Sequence, residues 1–131
     1  IKYSFEGKDI KIDKQIQGSD FVIFGDTFQL KDAFINLFIN AIQSIKIKGN
    51  ISLVLEKNEY EIKFSITDTG SGIPEKDLPN IFKPFYSTKD YGKGTGLGLA
   101  ITNKVIKEHG GSISVRSRLE KGTTFTIQFP L

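Results

Sequence analysis

Apolar residues recur every three to four positions between Leu30 and Ile45, and no other feature of the chain constrains its fold as much. Leu30, Ala33, Phe34, Leu37, Phe38, Ala41, Ile42 and Ile45 follow a 3.6-residue period, which predicts an amphipathic helix with one face on a core. Asp26 or Thr27 supplies its cap, and Gly49-Asn50 ends the segment. Before it, Ile10, Ile12 and Ile16 roughly alternate with Lys and Asp, and Phe21-Val-Ile-Phe24 is a short apolar run; both read as strands. After it, Ile51–Glu56 and Tyr60–Thr67 predict two strands joined by Lys57-Asn58-Glu59, with Ile62, Phe64 and Ile66 alternating toward the core. Glu75–Phe82 reads as a short helix, and Leu97–His109 as a second amphipathic one with Leu99, Ile101, Val105 and Ile106 inward. Gly110-Gly111 stops that helix, and Ser112–Arg118 and Thr123–Phe129 form a closing hairpin. Strands and helices segregate without regular βαβ alternation. The fold class expected is therefore α+β, a two-layer sandwich with helices on one face of a mixed, mainly antiparallel sheet.

At 131 residues the chain fits one domain, 1–131, with no repeat or linker dividing it. No apolar run approaches the ~20 residues of a membrane span, and no signal peptide is visible. The absence of cysteine removes thiolate and disulfide chemistry and fits a reducing compartment. A net charge of +3, from 18 basic and 15 acidic residues dispersed along the chain, gives no nucleic-acid footprint. The first residue is Ile1, from which a fragment of a longer protein is expected.

Two glycine-rich stretches carry the chemistry. Asp68-Thr69-Gly70-Ser71-Gly72-Ile73-Pro74 places a carboxylate after an apolar strand, where it is an acceptor suited to the exocyclic amine of adenine. Taken alone the string reads first as a turn, with the glycines supplying positive φ. Gly94-Thr95-Gly96-Leu97-Gly98-Leu99 precedes a helix, so its amides form an anion site suited to phosphates, or else a hinge. No Gly-Lys-Ser/Thr follows at P-loop spacing, and the glycine spacing and the polar loop before it fit a Rossmann turn poorly. Asn36 and Asn40 lie one helical turn apart, with Gln29, Asp32 and Gln43 extending a polar stripe. A solvated face would explain the stripe. However, Asn costs roughly half a kcal/mol relative to Ala in a helix, and its amide oxygen can ligate Mg²⁺. Lys83, Lys89 and Lys93 against Asp90 leave the 82–93 stretch positive, and 86–95 reads as a mobile loop. His109, the one histidine, sits at a helix end, where an interaction with the helix C-terminus is expected rather than catalysis.

In this order and at these spacings the motifs resemble the catalytic, ATP-binding domain of a bacterial sensor histidine kinase, closest to the nitrogen-regulation and sporulation types. Asn36-Leu-Phe-Ile-Asn40-Ala is similar to the N box, and Asp68-Thr-Gly-Ser-Gly72 to the first glycine box. Phe82-Lys-Pro-Phe85 is similar to the F box, Gly94-Thr-Gly-Leu-Gly98-Leu to the second glycine box, and Gly122-Thr123-Thr-Phe to the last. The resemblance implies the Bergerat ATP-binding fold, with ATP and Mg²⁺ as cofactors. It implies that Asp68 reads the adenine amine with Thr123 and a water, and that Gly70, Gly72 and Ile73 line the base. Asn40 would hold Mg²⁺, Asn36 and Gln43 would face the phosphates, and Lys89 would lie in an ATP lid. Gly94, Thr95, Gly96, Leu97, Gly98 and Leu99 would wrap the phosphates.

ATP-hydrolysing relatives carry a Glu where this chain has Asn36, and an amide is no general base. The resemblance therefore implies phosphoryl transfer to a histidine on a separate dimerisation domain, with a response regulator downstream. An ATPase clamp of the topoisomerase type and a nucleotide-sensing scaffold are the competing readings. Many such kinases have Lys and an aromatic where Gln43 and Ser44 stand, and no phosphoacceptor motif is present. A monomeric domain, a homodimeric parent, a cytoplasmic location and no membrane contact by the domain itself are further implications; whether the parent is membrane-anchored stays open.

Overall fold

A computed structural model describes residues 2–5, 7–86 and 98–131. Six strands form one sheet: β1 (Lys2–Phe5), β2 (Lys8–Gln17), β3 (Lys48–Lys57), β4 (Glu61–Asp68), β5 (Ser112–Arg118) and β6 (Gly122–Pro130). Their spatial order is β1-β2-β3-β4-β6-β5. Only the β2–β3 pair is parallel, because the helix α1 (Thr27–Ser44) returns the chain between them; the other pairs are antiparallel. The expected α+β sandwich with a mixed, mainly antiparallel sheet is what forms.

α1 begins where the sequence indicated. The Asp26 carboxylate accepts from Phe28 N–H at 2.9 Å and Gln29 N–H at 3.1 Å, satisfying two of the orphan donors of the first turn. Its buried stripe is Leu30, Ala33, Leu37 and Ala41, and Phe34 meets Phe64 of β4 edge-on with ring centroids 5.1 Å apart. A second helix, α2 (Gly98–Glu108), packs beside α1. Together they cover Ile10, Ile51, Ile66, Phe125, Ile127 and Phe129 on one face of the sheet. The opposite face is polar: Thr67 and Thr124 hydroxyls pair at 2.9 Å, and Gln128 Nε2 donates to Glu61 at 2.9 Å. A mostly antiparallel sheet tolerates this, since one packed face suffices.

Four expectations are corrected. Phe21–Phe24 is not a strand, because the β2–β3 pairing ends at Gln17 and Glu56 and leaves this run no neighbour; Phe24 is almost fully exposed. β1 appears where none was expected, pairing Lys2–Phe5 against Lys8–Lys11 around Gly7. In α2 it is Thr102 that is buried and Ile101 that faces outward. Thr102 tolerates burial because its hydroxyl donates to Gly98 O at 2.8 Å, one turn back. The helix expected at Glu75–Phe82 is a shorter 3-10 segment, Glu75–Asn80, carrying Pro79.

His109 acts at a helix end, as expected. Its Nδ1–H donates to Val105 O at 2.7 Å, which leaves Nε2 to accept from Asp26 N–H at 2.9 Å. The C-terminus of α2 is thereby tied to the start of α1.

Candidate nucleotide site

Asp68 ends β4 on its inward face, between Ile51 of β3 and Thr123 of β6. It is 3% exposed. Burial pushes its carboxyl above the usual carboxylate value near 3.8, while donors from the Gly70 backbone, the Ser44 hydroxyl and the Thr123 backbone pull the other way. The Gly70 N–H bond to Asp68 Oδ1 is 2.8 Å long. A buried carboxylate with one oxygen so occupied retains acceptor capacity and has nothing to donate when ionised.

The glycines around it are there for close approach. At Gly70 a Cβ would strike the Ser44 hydroxyl and carbonyl. Gly72 has φ +76°, and a Cβ would be driven into Arg118 O. Gly122 has φ +121°, with Asp68 O in the same position. The turn is then stitched to its surroundings. Thr69 N–H donates to Asn50 O at 3.1 Å, Ser71 N–H to Ser44 O at 3.0 Å, and Glu120 N–H to Ser71 O at 2.7 Å.

Ser117 is a hub that the motifs do not reveal. Its hydroxyl accepts from Ile73 N–H at 2.7 Å, donates to Gly122 O at 3.0 Å, and lies 2.7 Å from Thr123 Oγ1. The Thr123 hydroxyl is thereby held against Ser117 beside Asp68. The signal for Ser117 was its place opposite Thr123 in the hairpin register, which a single strand pattern does not disclose. An open groove of about 900 Å³ lies at this end of the sheet; its lining includes Asp68, Ile73, Ser117 and Thr123 together with Thr67 and Thr124 of the polar face, and no residue of α1.

On α1, Asn36, Asn40 and Gln43 follow one another at intervals of four and three, so they share a face, and each is half-buried. The Gln43 Oε1 atom is buried and finds no donor among the described residues. α1 packs on β4 and α2, and its last residue, Ser44, accepts from Ser71 N–H of the Asp68 turn at 3.0 Å. Gly98 opens α2 with no described residue within 4 Å of where a Cβ would sit, and Leu99 packs against the core. Lys89, Gly94, Thr95, Gly96 and Leu97 lie outside the described residues, as does the expected loop except Tyr86. The Tyr86 hydroxyl donates to Asp77, which raises its pKa and anchors the end of the F-box segment on the 3-10 turn. Phe82 of that segment packs edge-on against Phe125, centroids 6.3 Å apart, while Phe85 is exposed. Among the described residues no three His, Cys, Asp or Glu side chains converge, so any cation here would rely on amide and ligand oxygens.

Residues 25–131 match the family described as histidine kinase-, DNA gyrase B-, and HSP90-like ATPase. Sporulation kinase A of Bacillus subtilis (strain 168) is 46% identical over 108 residues, which are 82% of this chain and 18% of that kinase. The chain thus spans less than a fifth of that relative's length. Among solved structures, the nucleotide-free catalytic domain of histidine kinase ThkA superposes with TM-score 0.80 at 34% identity, covering 92% of this chain and 80% of that one. Full-length ShkA in complex with AMPPNP superposes with TM-score 0.79 at 28% identity, covering 92% of this chain and 25% of that one.

Proposed function

This chain belongs to the histidine kinase-, DNA gyrase B- and HSP90-like ATPase family, and from that membership we propose that it binds Mg-ATP and gives the γ-phosphoryl group to a histidine on a separate dimerisation domain of its parent kinase. The observation that carries this reading is Asp68: an almost completely buried acid at a strand end, beside a turn whose glycines pack directly on neighbouring backbone. Ionised, it can accept from the exocyclic amine of adenine. Thr123, its hydroxyl paired with Ser117, supplies a second polar group for a bridging water. Gly70, Gly72 and Ile73 form the wall beside the base.

The amide face of α1 fits a hard cation. Mg²⁺ takes oxygen ligands, and Asn40 would supply one, with Asn36 and Gln43 turned to the phosphates or to metal-bound water. The unpartnered Gln43 Oε1 supports this, since a buried acceptor without a donor otherwise costs stability. The ion, when bound, neutralises charge on the β- and γ-phosphates. The chain's own residues position the nucleotide: Asp68 fixes the base, the 94–99 glycine loop and Lys89 face the phosphates, and Asn36 supplies no base to activate water. Residues 1–131 form one catalytic domain in this reading, working on the cytoplasmic side as a monomer within a homodimeric parent that passes the phosphoryl group to a response regulator. Among the described residues, no helix is long and apolar enough to cross a membrane.

The test is incubation with γ-labelled ATP and a separately produced acceptor-helix domain. Label on the acceptor that is lost in acid and stable in base supports the reading. Sustained phosphate release without acceptor would replace it with an ATPase clamp, and ATP binding without any transfer would replace it with a nucleotide-sensing scaffold.

A further inference from the structure

Ser117, Thr123 and Asp68 are successive register partners on β5, β6 and β4, so they form one row across three strands. Directly opposed residues share a face, and this row lies on the one that carries the helices. The chain leaves the row at Asp68, turns through Gly70 and Gly72, and returns to it at Ile73, whose N–H donates to Ser117 Oγ at 2.7 Å. Ser117 Oγ also donates to Gly122 O at 3.0 Å and lies 2.7 Å from Thr123 Oγ1. Three partners around one hydroxyl, which has one proton and two lone pairs, leave it no free direction. Whichever of Ser117 and Thr123 gives the proton they share, the Thr123 hydroxyl is turned toward a fixed point. Both residues line the open groove at this end of the sheet, where water would otherwise compete for that hydroxyl.

We propose that Ser117 is a positioning residue for base recognition: pinned by Ile73 N–H and Gly122 O, its hydroxyl fixes the Thr123 hydroxyl beside Asp68. It acts through Thr123 and not on the nucleotide. This rests on the reading of Asp68 and Thr123 given above and extends it to β5, the edge strand of the sheet.

The experiment is calorimetric titration of Mg-ATP into the wild-type domain, Ser117→Ala, Thr123→Val and the double variant. Each single variant should lose roughly fivefold in affinity. The double variant should lose no more than Thr123→Val alone, because Ser117 works through that hydroxyl. Losses that multiply in the double variant would make Ser117 a structural residue, and wild-type affinity in Ser117→Ala would remove it from recognition; either result overturns the proposal. Should Ser117→Ala fail to fold, Ser117→Cys fills the same space with a weak donor and weak acceptor. The same loss is expected of it, and wild-type affinity there would overturn the proposal equally. A Thr123→Val domain that binds ATP as the wild type does would overturn the part given to Thr123 above and the proposal with it, and that failure shows without any change at Ser117.

Discussion

An acid that is 3% exposed has to be accounted for energetically, because burial favours the protonated form while base recognition needs the ionised one. The sign of the pH dependence follows. The folded pKa of Asp68 lies above its ordinary value, so between that value and the raised one the native chain holds a proton the unfolded chain has released. Asp68 therefore lowers the stability of the free domain as pH rises through that window, and its effect is constant above it. Binding runs the other way: ATP affinity should fall as pH drops through the raised pKa. Other carboxylates titrate nearby, so the quantity to follow is the stability difference between wild type and Asp68→Asn in denaturant series from pH 4 to 8. A difference that stays flat would contradict the assignment. At neutral pH, Asp68→Asn should weaken ATP binding by tenfold or more, since a donor would face a donor, yet change unfolding stability by only about 1 kcal/mol. Calorimetry and denaturation on the same preparation separate the two.

At the scale of elements, what could be read beforehand depended on whether a pattern is local. α1 was legible because burial on one face writes a 3.6 period, and Asp26 caps it with its own side chain. Asp68, Gly70 and Gly72 were legible because a strand end and a tight turn leave residue-type signals. β1 was not, since Lys2-Tyr-Ser-Phe alternates weakly and is held by pairing with β2. Phe21–Phe24 has strand composition but no partner strand, and a sequence does not display where a ladder ends. Thr102 in place of Ile101 reflects the rotation at which α2 settles against α1 and the sheet. Ser117 matters through a contact 44 residues away, and hydroxyls carry no periodic signature. The glycines offer a direct contrast. Gly122→Ala should cost about 1–3 kcal/mol or more in stability, from positive φ and collision with Asp68 O. Gly98→Ala, with open space around it, should cost the fold less than about 0.5 kcal/mol. If Gly98 serves phosphate approach, that variant still loses ATP affinity. Thermal unfolding of both variants checks the pair, and a Gly98→Ala domain as unstable as Gly122→Ala would show that the loop glycine is architectural.

In the molecule as a whole, one polar sheet face is left to solvent and the other carries both helices, so the site sits at the end of a single layered core. The parallel β2–α1–β3 crossover places the Asn-bearing helix over the strand that ends in Asp68, and the His109 bridge to Asp26 fixes α2 against it. Asp68 on the sheet and the Asn-bearing face of the helix are then carried by one packed layer. Removing the amide should be felt in one coordinate only. Asn40→Ala is expected to abolish most of the Mg²⁺ dependence of nucleotide affinity while leaving Mg²⁺-free binding near wild type, as titrations with and without the ion would show; an unaltered Mg²⁺ dependence would remove Asn40 from the metal site. The most direct measurement of the whole account is a crystal structure of the domain soaked with AMPPNP and Mg²⁺. It should show the adenine amine within hydrogen-bond distance of an Asp68 carboxylate oxygen and the ion on the Asn40 side chain. A purine seated away from Asp68, or a metal held without Asn40, would contradict it.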